Sequence, residues 1–395
     1  MKSKWGRKQL LIGIAAIAVL LVAAGCGSSS SSTSSSASTS GGSTSASSGS
    51  SCKDQITKVV DQQKQEVAWG NPGPAFDTSS IKGKTIHWIS LNADIPFTQS
   101  VFAGFKQAAQ KVGVNFKFFD GAGNASQEAR GVQQAIAAHA DLIMIQSIPI
   151  PQISTAVAAA NKAKIPVVEA FNTDAGAPPD PGTQAAVTYN YTAAGQMMAD
   201  DAIRISDCKV NAVTFTTSDE SVAPFGVKGI QGELTKYCPD DCSTKVQDAR
   251  IAEWSTRLPV LARNAVANPK VNWLMPLYDG ETQFTNPAVM QAGAASRVNV
   301  ASFNASKGIV DQLAKSGNPL AVDIGSPLAW SGWAIADQSF RLLAGQKPVI
   351  DEKIPLRTFD RDNIGDIDLS KPESTWYGTK TNYEAEYSKL WGIGQ

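Results

Sequence analysis

Histidine is scarce in this 395-residue sequence, which has only His87 and His139. The first falls within a predicted strand and the second near a helix end, so neither is placed as a general base. The sequence also lacks a P-loop and a G-x-S-x-G elbow, and the GAG in DGAGNAS lacks the third glycine of a dinucleotide loop. The adjacent acids Asp219 and Glu220 do not by themselves set the separation that a glycosidase needs. These absences argue against an enzyme, and we expect no cofactor.

Net charge is also absent, because 35 lysine and arginine residues balance 35 aspartate and glutamate residues. Removal of the basic first residues leaves the rest of the chain slightly acidic. No strongly basic stretch remains that could follow a phosphate backbone. Nucleic acid is therefore not an expected partner.

The apolar stretch Leu10–Val22 is short for a membrane-spanning helix, which needs about 20 residues. It follows four basic residues and precedes three small ones: Lys2, Lys4, Arg7 and Lys8, then Ala23, Ala24 and Gly25. This order is typical of a secretory signal. Cys26 then resembles the acylated cysteine of a bacterial lipobox, although Ala23 stands where leucine is usual. We predict a lipoprotein signal over residues 1–25 and lipidation of Cys26. The alternative is an ordinary signal peptide with an incidental cysteine.

Residues Ser28 to Ser51 are nearly all serine, threonine, alanine and glycine. Such a tract has no apolar surface to bury, so we predict a disordered tether over residues 26–52. As a random coil it would span about 25–30 Å and hold a folded domain clear of a membrane. Residues 53–84 are predicted to form an N-terminal arm on the domain surface, with a helix at Ile56–Ala68.

Four further cysteines are Cys52, Cys208, Cys238 and Cys242. In an exported protein they are disulfide candidates. We predict a bridge from Cys208 to Cys238 or Cys242, whereas the partner of Cys52 cannot be read from the sequence. A metal site is the weaker alternative, because no histidine lies near the three thiols.

From Thr85 onward, apolar segments such as TIHWISL and DLIMIQS alternate with segments of helical spacing. This alternation predicts parallel sheets covered by helices on both faces. The loop AGAPPDPG interrupts the series, which then restarts and includes helices predicted at Pro287–Ala295 and Lys307–Lys315. We predict an α/β protein of two doubly wound parallel-sheet lobes, joined by a hinge, with the ligand cleft between them. The assigned ranges are 85–190 plus about 327–350 for lobe 1, and 191–326 plus about 351–395 for lobe 2.

In doubly wound sheets, ligands bind beyond the carboxyl ends of the strands. Aromatic, aspartate, asparagine and glutamine residues collect at those predicted ends. Rings supply flat apolar walls, and carboxylates and amides supply directed donors and acceptors, which suits a small ring bearing many hydroxyls. The candidate ligand-binding residues are Asn92, Asp94, Phe97, Gln146, Phe171, Asn172, Asn190, Trp254, Tyr278, Asp279, Asn304 and Asp323.

The segment from Thr85 to Phe359 resembles the type I periplasmic binding proteins of the ribose-binding group. IPFTQSVFAGFKQAAQKVGV is similar to the first-strand loop and first helix of that family, and LIMIQS, AKIPVVEAFN, VNWLMPLYDG and VASFNAS occupy equivalent strand ends. The resemblance implies that Phe97 and Trp254 stack on a sugar. Four positions depart from the residues of ribose binders: Gln146, Asn172, Tyr278 and Asn304. The implied ligand is therefore a small sugar or polyol rather than ribose itself.

The same resemblance implies a substrate-binding lipoprotein of an ABC importer, held at the outer face of the cell membrane by a lipid anchor. It would be a monomer that closes on a monosaccharide and delivers it to a permease driven by a separate ATPase. Two alternatives stay open: a sensor of the same fold, or an importer receptor for an amino acid or a furanone-like signal. An amino acid would need a partner for its carboxylate, and only Arg250 stands near a predicted cleft strand end.

Overall fold

The computed structural model describes residues 51–378 and 382–393. The predicted signal, Cys26 and nearly all of the serine tract lie outside the described residues. The chain from Ser50 onward forms one compact unit. None of the described helices combines the length and the apolar character that crossing a bilayer requires.

The first half of this unit builds a five-stranded sheet. Its elements are α1 (Cys52–Gln63), β1 (Thr85–Ser90), α2 (Pro96–Val112), β2 (Asn115–Asp120), α3 (Ala125–Ala137), β3 (Leu142–Gln146), α4 (Ser154–Lys162), β4 (Val167–Ala170) and β5 (Ala185–Val187). The strands are parallel, in the order β2-β1-β3-β4-β5. The inner strands β1 and β3 are almost wholly buried because helices cover both faces of the sheet.

The second half builds a six-stranded sheet. Its elements are α5 (Tyr191–Ile205), β6 (Asn211–Thr216), α6 (Ala223–Tyr237), β7 (Ser243–Asp248), α7 (Trp254–Ala267), β8 (Trp273–Pro276), α8 (Asp279–Gln291), β9 (Asn299–Asn304), β10 (Leu320–Gly325), α9 (Leu328–Leu343), β11 (Arg357–Asp360) and α10 (Tyr383–Leu390). The order is β11-β10-β9-β8-β6-β7, and only β11 runs antiparallel to its neighbour. Two α/β lobes with parallel-dominated sheets confirm the predicted fold class.

Between β1 and β11 the chain passes between the two lobes three times. It leaves β5 for α5, which packs on β9 and β10, and it leaves β10 for α9, which packs on β3, β4 and β5. It returns from α9 to β11. Tyr189 lies buried in the first crossing, where its hydroxyl is 2.7 Å from that of Ser331 in α9. Its ring stacks on Phe171 at 4.9 Å and meets Phe303 edge-on at 5.7 Å, so one buried aromatic cluster joins the lobes.

Each lobe contains one pair of helices packed backbone against backbone. A Cβ atom added at Gly104 in α2 would lie 2.1 Å from the carbonyl oxygen of Ala329, close to the start of α9. In the second lobe, a Cβ at Gly195 in α5 would lie 2.1 Å from the carbonyl oxygen of Gly226 in α6. Real Cβ atoms do not approach this closely, so both contacts require glycine.

The N-terminal arm contacts both lobes. Helix α1 packs on α5, and the Cys52–Cys208 disulfide joins the two covalently. Farther along the arm, Trp69 stacks on Trp330 of α9 with ring centroids 5.5 Å apart. The helix starts at the Ser51 cap and ends at Gln63, which places it earlier than the predicted Ile56–Ala68.

The predicted disulfide pairing is wrong. Cys208 bonds to Cys52, and Cys238 bonds to Cys242. The second bond is local, because the chain turns after α6 and the amide of Cys242 donates to the carbonyl of Cys238 at 2.8 Å. The first depends on the packing of α1 against α5, which brings together two residues 156 positions apart.

Two predicted helices and one lobe assignment also need correction. Helix α8 begins at Asp279 rather than at Pro287, because the amide of Thr282 already donates to the carbonyl of Tyr278. A short 3-10 turn, Val310–Gln312, replaces the helix predicted at 307–315. Helix α10 packs on α9 of the first lobe, although the prediction assigned residues 351–395 to the second; stacking of the tryptophans at 333 and 391 explains this.

Candidate ligand-binding cleft

A cavity of about 50 Å³, here called the inner cavity, lies between the carboxyl ends of the two sheets. Its lining comes from both lobes: Leu91, Ile95, Phe97, Thr98, Ser147 and Phe171 from the first, and Tyr191, Glu220, Trp254, Tyr278, Gly280 and Asn304 from the second. An outer cavity of about 320 Å³ shares four of these residues: Ile95, Phe97, Gly280 and Asn304. The position matches the expected ligand site of doubly wound sheets.

Three lining residues adopt a left-handed backbone directly at strand ends. Ser147 follows β3 with a φ of 56°, Phe171 follows β4 with a φ of 65°, and Asn304 ends β9 with a φ of 123°. Such conformations cost about 1–3 kcal/mol each for residues other than glycine and persist where the surroundings enforce them. Here the amide of Ser147 donates to Ala170 and that of Phe171 to Val187, each at 2.8 Å. The strand ends are thus held in unusual conformations at the cavity.

Two phenylalanines form much of the first lobe's wall. Phe97 stands in the first turn of α2, which starts at Pro96, and its ring meets that of Phe171 edge-on at 5.1 Å. Phe171 in turn stacks on the buried Tyr189 of the first crossing. The wall is therefore fixed against the segment that joins the lobes.

Trp254, at the start of α7, provides the facing ring. Its indole nitrogen donates to the Thr217 hydroxyl and to the Ala249 carbonyl, both at 3.1 Å. The Thr217 hydroxyl donates to the buried Glu281 carboxyl at 2.7 Å. A Cβ at Gly280 would lie 2.6 Å from the Trp254 ring, so glycine there lets the ring pack closely against α8. These contacts set the orientation of the ring.

Glu220 and Tyr278 place polar groups in the inner cavity. Burial raises the pKa of Glu220 to about 7, the neighbouring Tyr278 hydroxyl opposes that rise, and the charge of Asp219 adds to it. The Tyr278 hydroxyl is buried beside the Glu220 carboxyl. A phenol can both donate and accept, so this group is suited to pair with a ligand hydroxyl as well.

A buried carboxyl pair lies behind the second lobe's wall. Asp279 accepts from the Ser302 hydroxyl at 2.5 Å and from the Ser306 amide at 2.6 Å, and Asp323 accepts from the Ala305 amide at 3.0 Å. Burial raises the pKa of Asp279 to about 6. Burial and the neighbouring Asp279 charge raise the pKa of Asp323 well above its usual range. The pair holds the loop that follows Asn304.

Six of the twelve predicted ligand residues line these cavities. Five line the inner cavity: Phe97, Phe171, Trp254, Tyr278 and Asn304. Asp279 lines the outer one. Neither Tyr191 nor Glu220 was selected as a ligand residue from the sequence. Sequence reasoning also missed Leu91, Ile95, Thr98, Ser147 and Gly280, whose residue types give no sign of a polar binding site.

Two further candidates lie in the interior of the first lobe. Gln146 is fully buried and accepts from the indole nitrogen of Trp88 at 3.1 Å. Asn172 donates to the Ile148 carbonyl at 2.9 Å and to the Glu169 carboxyl at 3.0 Å. Both side chains stabilise the fold and do not line either cavity.

The remaining candidates cap or brace local structure. Asn190 caps α5 by accepting from the Ala193 amide at 2.8 Å. Asn92 accepts from the Asp94 amide at 2.8 Å in the turn before α2, and Asp323 serves in the buried pair described above. Within the described ranges, no group of three or more histidine, cysteine or acidic residues is arranged to hold a metal ion.

Such a site, built at the facing ends of two α/β lobes, defines a two-lobed ligand-binding protein. Residues 86–347 match the family model described as the periplasmic binding protein domain. The match covers more than half of the chain, so the protein belongs to this family. Membership confirms the resemblance inferred from the sequence and makes the chain an extracytoplasmic solute-binding protein rather than an enzyme. No curated protein matches the sequence.

Several solved structures share the fold. An ABC sugar transporter subunit from Rhodobacter sphaeroides 2.4.1 is 17% identical, with a TM-score of 0.63 over 72% of this chain and 100% of that one. A solute-binding protein from Bacillus halodurans C-125 with bound myo-inositol is 17% identical, with a TM-score of 0.64 over 72% of this chain and 97% of that one. A 5-methylthioribose transporter solute-binding protein from Thermotoga lettingae TMO, in complex with 5-methylthioribose, is 15% identical, with a TM-score of 0.65 over 79% and 98%. At sequence identities of 15–17%, this structural similarity establishes that the proteins share a fold.

Proposed function

We propose that this protein is the lipid-anchored substrate-binding protein of an ABC importer and that it binds a small hydroxylated ligand, a monosaccharide. The observation that carries the proposal is the inner cavity, which is lined by aromatic rings from both lobes and by the polar groups of Glu220, Tyr278 and Asn304. The sugar and polyol ligands of proteins that share the fold support the same class.

The geometry suits a ring with hydroxyl groups. The rings of Phe97 and Trp254 offer apolar faces to the C–H surfaces of a sugar, and both are held by neighbouring side chains. Glu220 can accept from ligand hydroxyls, while Tyr278 and Asn304 can donate or accept. A ligand that left these groups unpaired would lose about 1–3 kcal/mol for each, which provides selectivity.

Ligand entry would need the lobes to separate. The inner cavity of about 50 Å³ has room for only a few water molecules, at roughly 10–15 Å³ each on this measure. A monosaccharide is larger than that, so the two walls must move apart before the inner cavity can hold one. The three crossings between the lobes supply the hinge for opening.

Anchoring and delivery are further parts of the proposal. The basic, apolar and small-residue order before Cys26 supports acylation of that residue, and the serine tract would tether the domain. A tethered receptor stays at a raised effective concentration near its permease. Replacement of Cys26 by Ala should release the protein from membranes into the medium; retention of that variant in the membrane fraction would contradict the anchor.

The test of ligand class is a thermal-shift screen of the full-length protein against monosaccharides, polyols and amino acids. A ligand at 100 times its dissociation constant stabilises the fold by about 2.7 kcal/mol, which raises the melting temperature by several degrees. Shifts with sugars, confirmed by calorimetry, would support the proposal. Shifts with amino acids alone would overturn the sugar while keeping an importer role.

A further inference from the structure

The inner cavity contains one carboxylate and no cation to balance it. Glu220 is half-buried at the cavity, and no lysine, arginine or histidine stands among the described residues that line it. Lys307 lines only the outer cavity, and its ammonium donates to the Leu369 carbonyl at 2.8 Å. An anionic ligand would therefore meet repulsion in the inner cavity without any compensating partner.

The groups around Glu220 add to the negative potential. Asp219 adjoins it, and the buried Glu281 lies close enough to interact with it electrostatically. The nearest arginine, Arg250, is 65% exposed and lies 3.7 Å from Asp219, so it neutralises that residue rather than Glu220. Tyr191 and Tyr278 are the other ionisable groups that face Glu220, and both carry neutral phenols near pH 7.

The remaining walls favour a cation. Five aromatic residues line the inner cavity: Phe97, Phe171, Tyr191, Trp254 and Tyr278. The face of an aromatic ring carries negative potential and attracts ammonium groups, more strongly where water is excluded. Beside a neutral ligand in a closed cavity, Glu220 would have to take up a proton, whereas a protonated amine would pair with its carboxylate directly.

We propose that the ligand is an amino sugar, whose protonated amine lies against Glu220 inside this aromatic cavity. The inference rests on the proposed sugar-binding function and narrows it to one substrate class. The sugar ring occupies the space between Phe97 and Trp254, and its hydroxyls reach Tyr278 and Asn304. In the amino sugar, Glu220 pairs with a charged ammonium group instead of the hydroxyl of the parent sugar. The amine should therefore improve affinity over the parent sugar by on the order of ten- to a hundred-fold.

The experiment compares matched sets of sugars on the full-length protein by isothermal titration calorimetry. Each set holds the parent hexose, its 2-amino derivative and the N-acetylated amine, for the glucose, galactose and mannose configurations. N-acetylation keeps the nitrogen and removes the charge. We expect the amino sugar to bind about ten-fold or more tightly than both neutral members of the preferred set.

Two variants locate the interaction. Glu220→Gln keeps the size of the side chain and removes its charge, so the preference for the amine should disappear. Glu253→Gln removes a carboxylate that is paired with Arg257 and lines neither cavity, so it should leave the preference intact. The melting temperature of each unliganded variant verifies folding, and the wild-type comparison tests the proposal even if a variant fails to fold.

The outcomes separate this inference from the proposed function. Equal or tighter binding of the parent hexoses or the N-acetylated sugars would overturn the amino-sugar inference and leave a sugar importer. A preference for the amine that survives in Glu220→Gln would overturn the role of Glu220. An absence of binding in all nine cases would overturn both this inference and the monosaccharide ligand.

Discussion

The two walls of the inner cavity differ in chemistry. The first lobe supplies mainly apolar side chains: Leu91, Ile95, Phe97 and Phe171, with the hydroxyls of Thr98 and Ser147. The second lobe supplies a carboxylate, a phenol and an amide, which belong to Glu220, Tyr278 and Asn304, beside the Trp254 ring. Its wall is also supported by three buried carboxyl groups: Asp279, Glu281 and Asp323. One lobe therefore offers a flat apolar surface, and the other recognises polar groups.

This difference separates affinity from selectivity. Rings in either wall bury ligand surface, so their loss should weaken the binding of every ligand. Changes to the polar groups of the second lobe should instead alter which ligands bind, because selectivity is a difference between affinities. The variants below are chosen to break or sharpen that contrast.

The largest effect on affinity is expected for Trp254→Ala. The change removes the facing ring, and affinity should fall about 100-fold, which equals about 2.7 kcal/mol. Trp254→Phe keeps a ring but loses the indole donor to Thr217 and Ala249, so its loss should be smaller. Calorimetric titration with the ligand found in the screen measures both. An unchanged affinity in the alanine variant would remove this ring from the site.

A smaller effect is expected for Gly280→Ala. The added Cβ would meet the Trp254 ring at 2.6 Å and tilt it, so affinity should fall about ten-fold and stability by about 1–3 kcal/mol. Gly232→Ala is the matched control, since Gly232 lies exposed in α6 with open space at the Cβ position. That control should leave binding unchanged. Equal effects in the two variants would argue against the ring contact.

The pH dependence of stability should reflect the buried carboxyls of the second lobe. Burial raises the folded-state pKa of Glu281 to about 8, above the usual 4.5 of an unfolded glutamate. The folded state thus holds this proton more tightly, and stability should fall as pH rises from about 4.5 to about 8. Glu281→Gln should flatten that fall, by up to about 5 kcal/mol.

The control for the pH profile is Glu253→Gln, which alters an exposed carboxylate paired with Arg257. Denaturant unfolding of each protein at a series of pH values provides the profile. The control should follow the wild-type profile. A Glu281→Gln profile as steep as that of the wild type would show that other groups dominate.

The smallest effect on affinity is expected for Gln146→Leu. This residue lies in the first lobe's interior, so affinity should stay within about two-fold, while loss of the acceptor for Trp88 should reduce stability by about 1–3 kcal/mol. Titration and denaturant unfolding of the same sample separate the two quantities. A large loss of affinity without a loss of stability would place the side chain in the site after all.

Much of the fold could be predicted from the sequence because apolar strands and amphipathic helices have different periods. The same logic found the cavity aromatics Phe97, Phe171 and Trp254, since residues just after parallel strands meet at one edge. It selected Asn190 and Gln146 as well, because asparagine and glutamine serve equally as caps and as buried hydrogen-bond partners. Residue type alone does not separate these uses.

Other features depend on packing that no local pattern reveals. The Cys52–Cys208 bond exists because α1 rests on α5, which is a tertiary contact between distant segments. The predicted start of α8 comes too late in the sequence. Proline is common in the first turn of a helix, which favours a start at Pro287, but this residue lies inside the helix. Apolar lining residues such as Leu91 are of the same types as core residues, so residue type could not identify them as part of the cavity.

The glycine contacts at Gly104 and Gly195 have a kinetic consequence. No side chain lies between the paired backbones at these points, so the helices cannot slide past each other by changes of rotamer. Shear of these helix pairs is therefore hindered, and the opening motion falls to the segments that join the lobes: the N-terminal arm, the three crossings and the segment between β11 and α10. The rate at which ligand escapes should then depend on these joining segments and be insensitive to mutation of the outer helices.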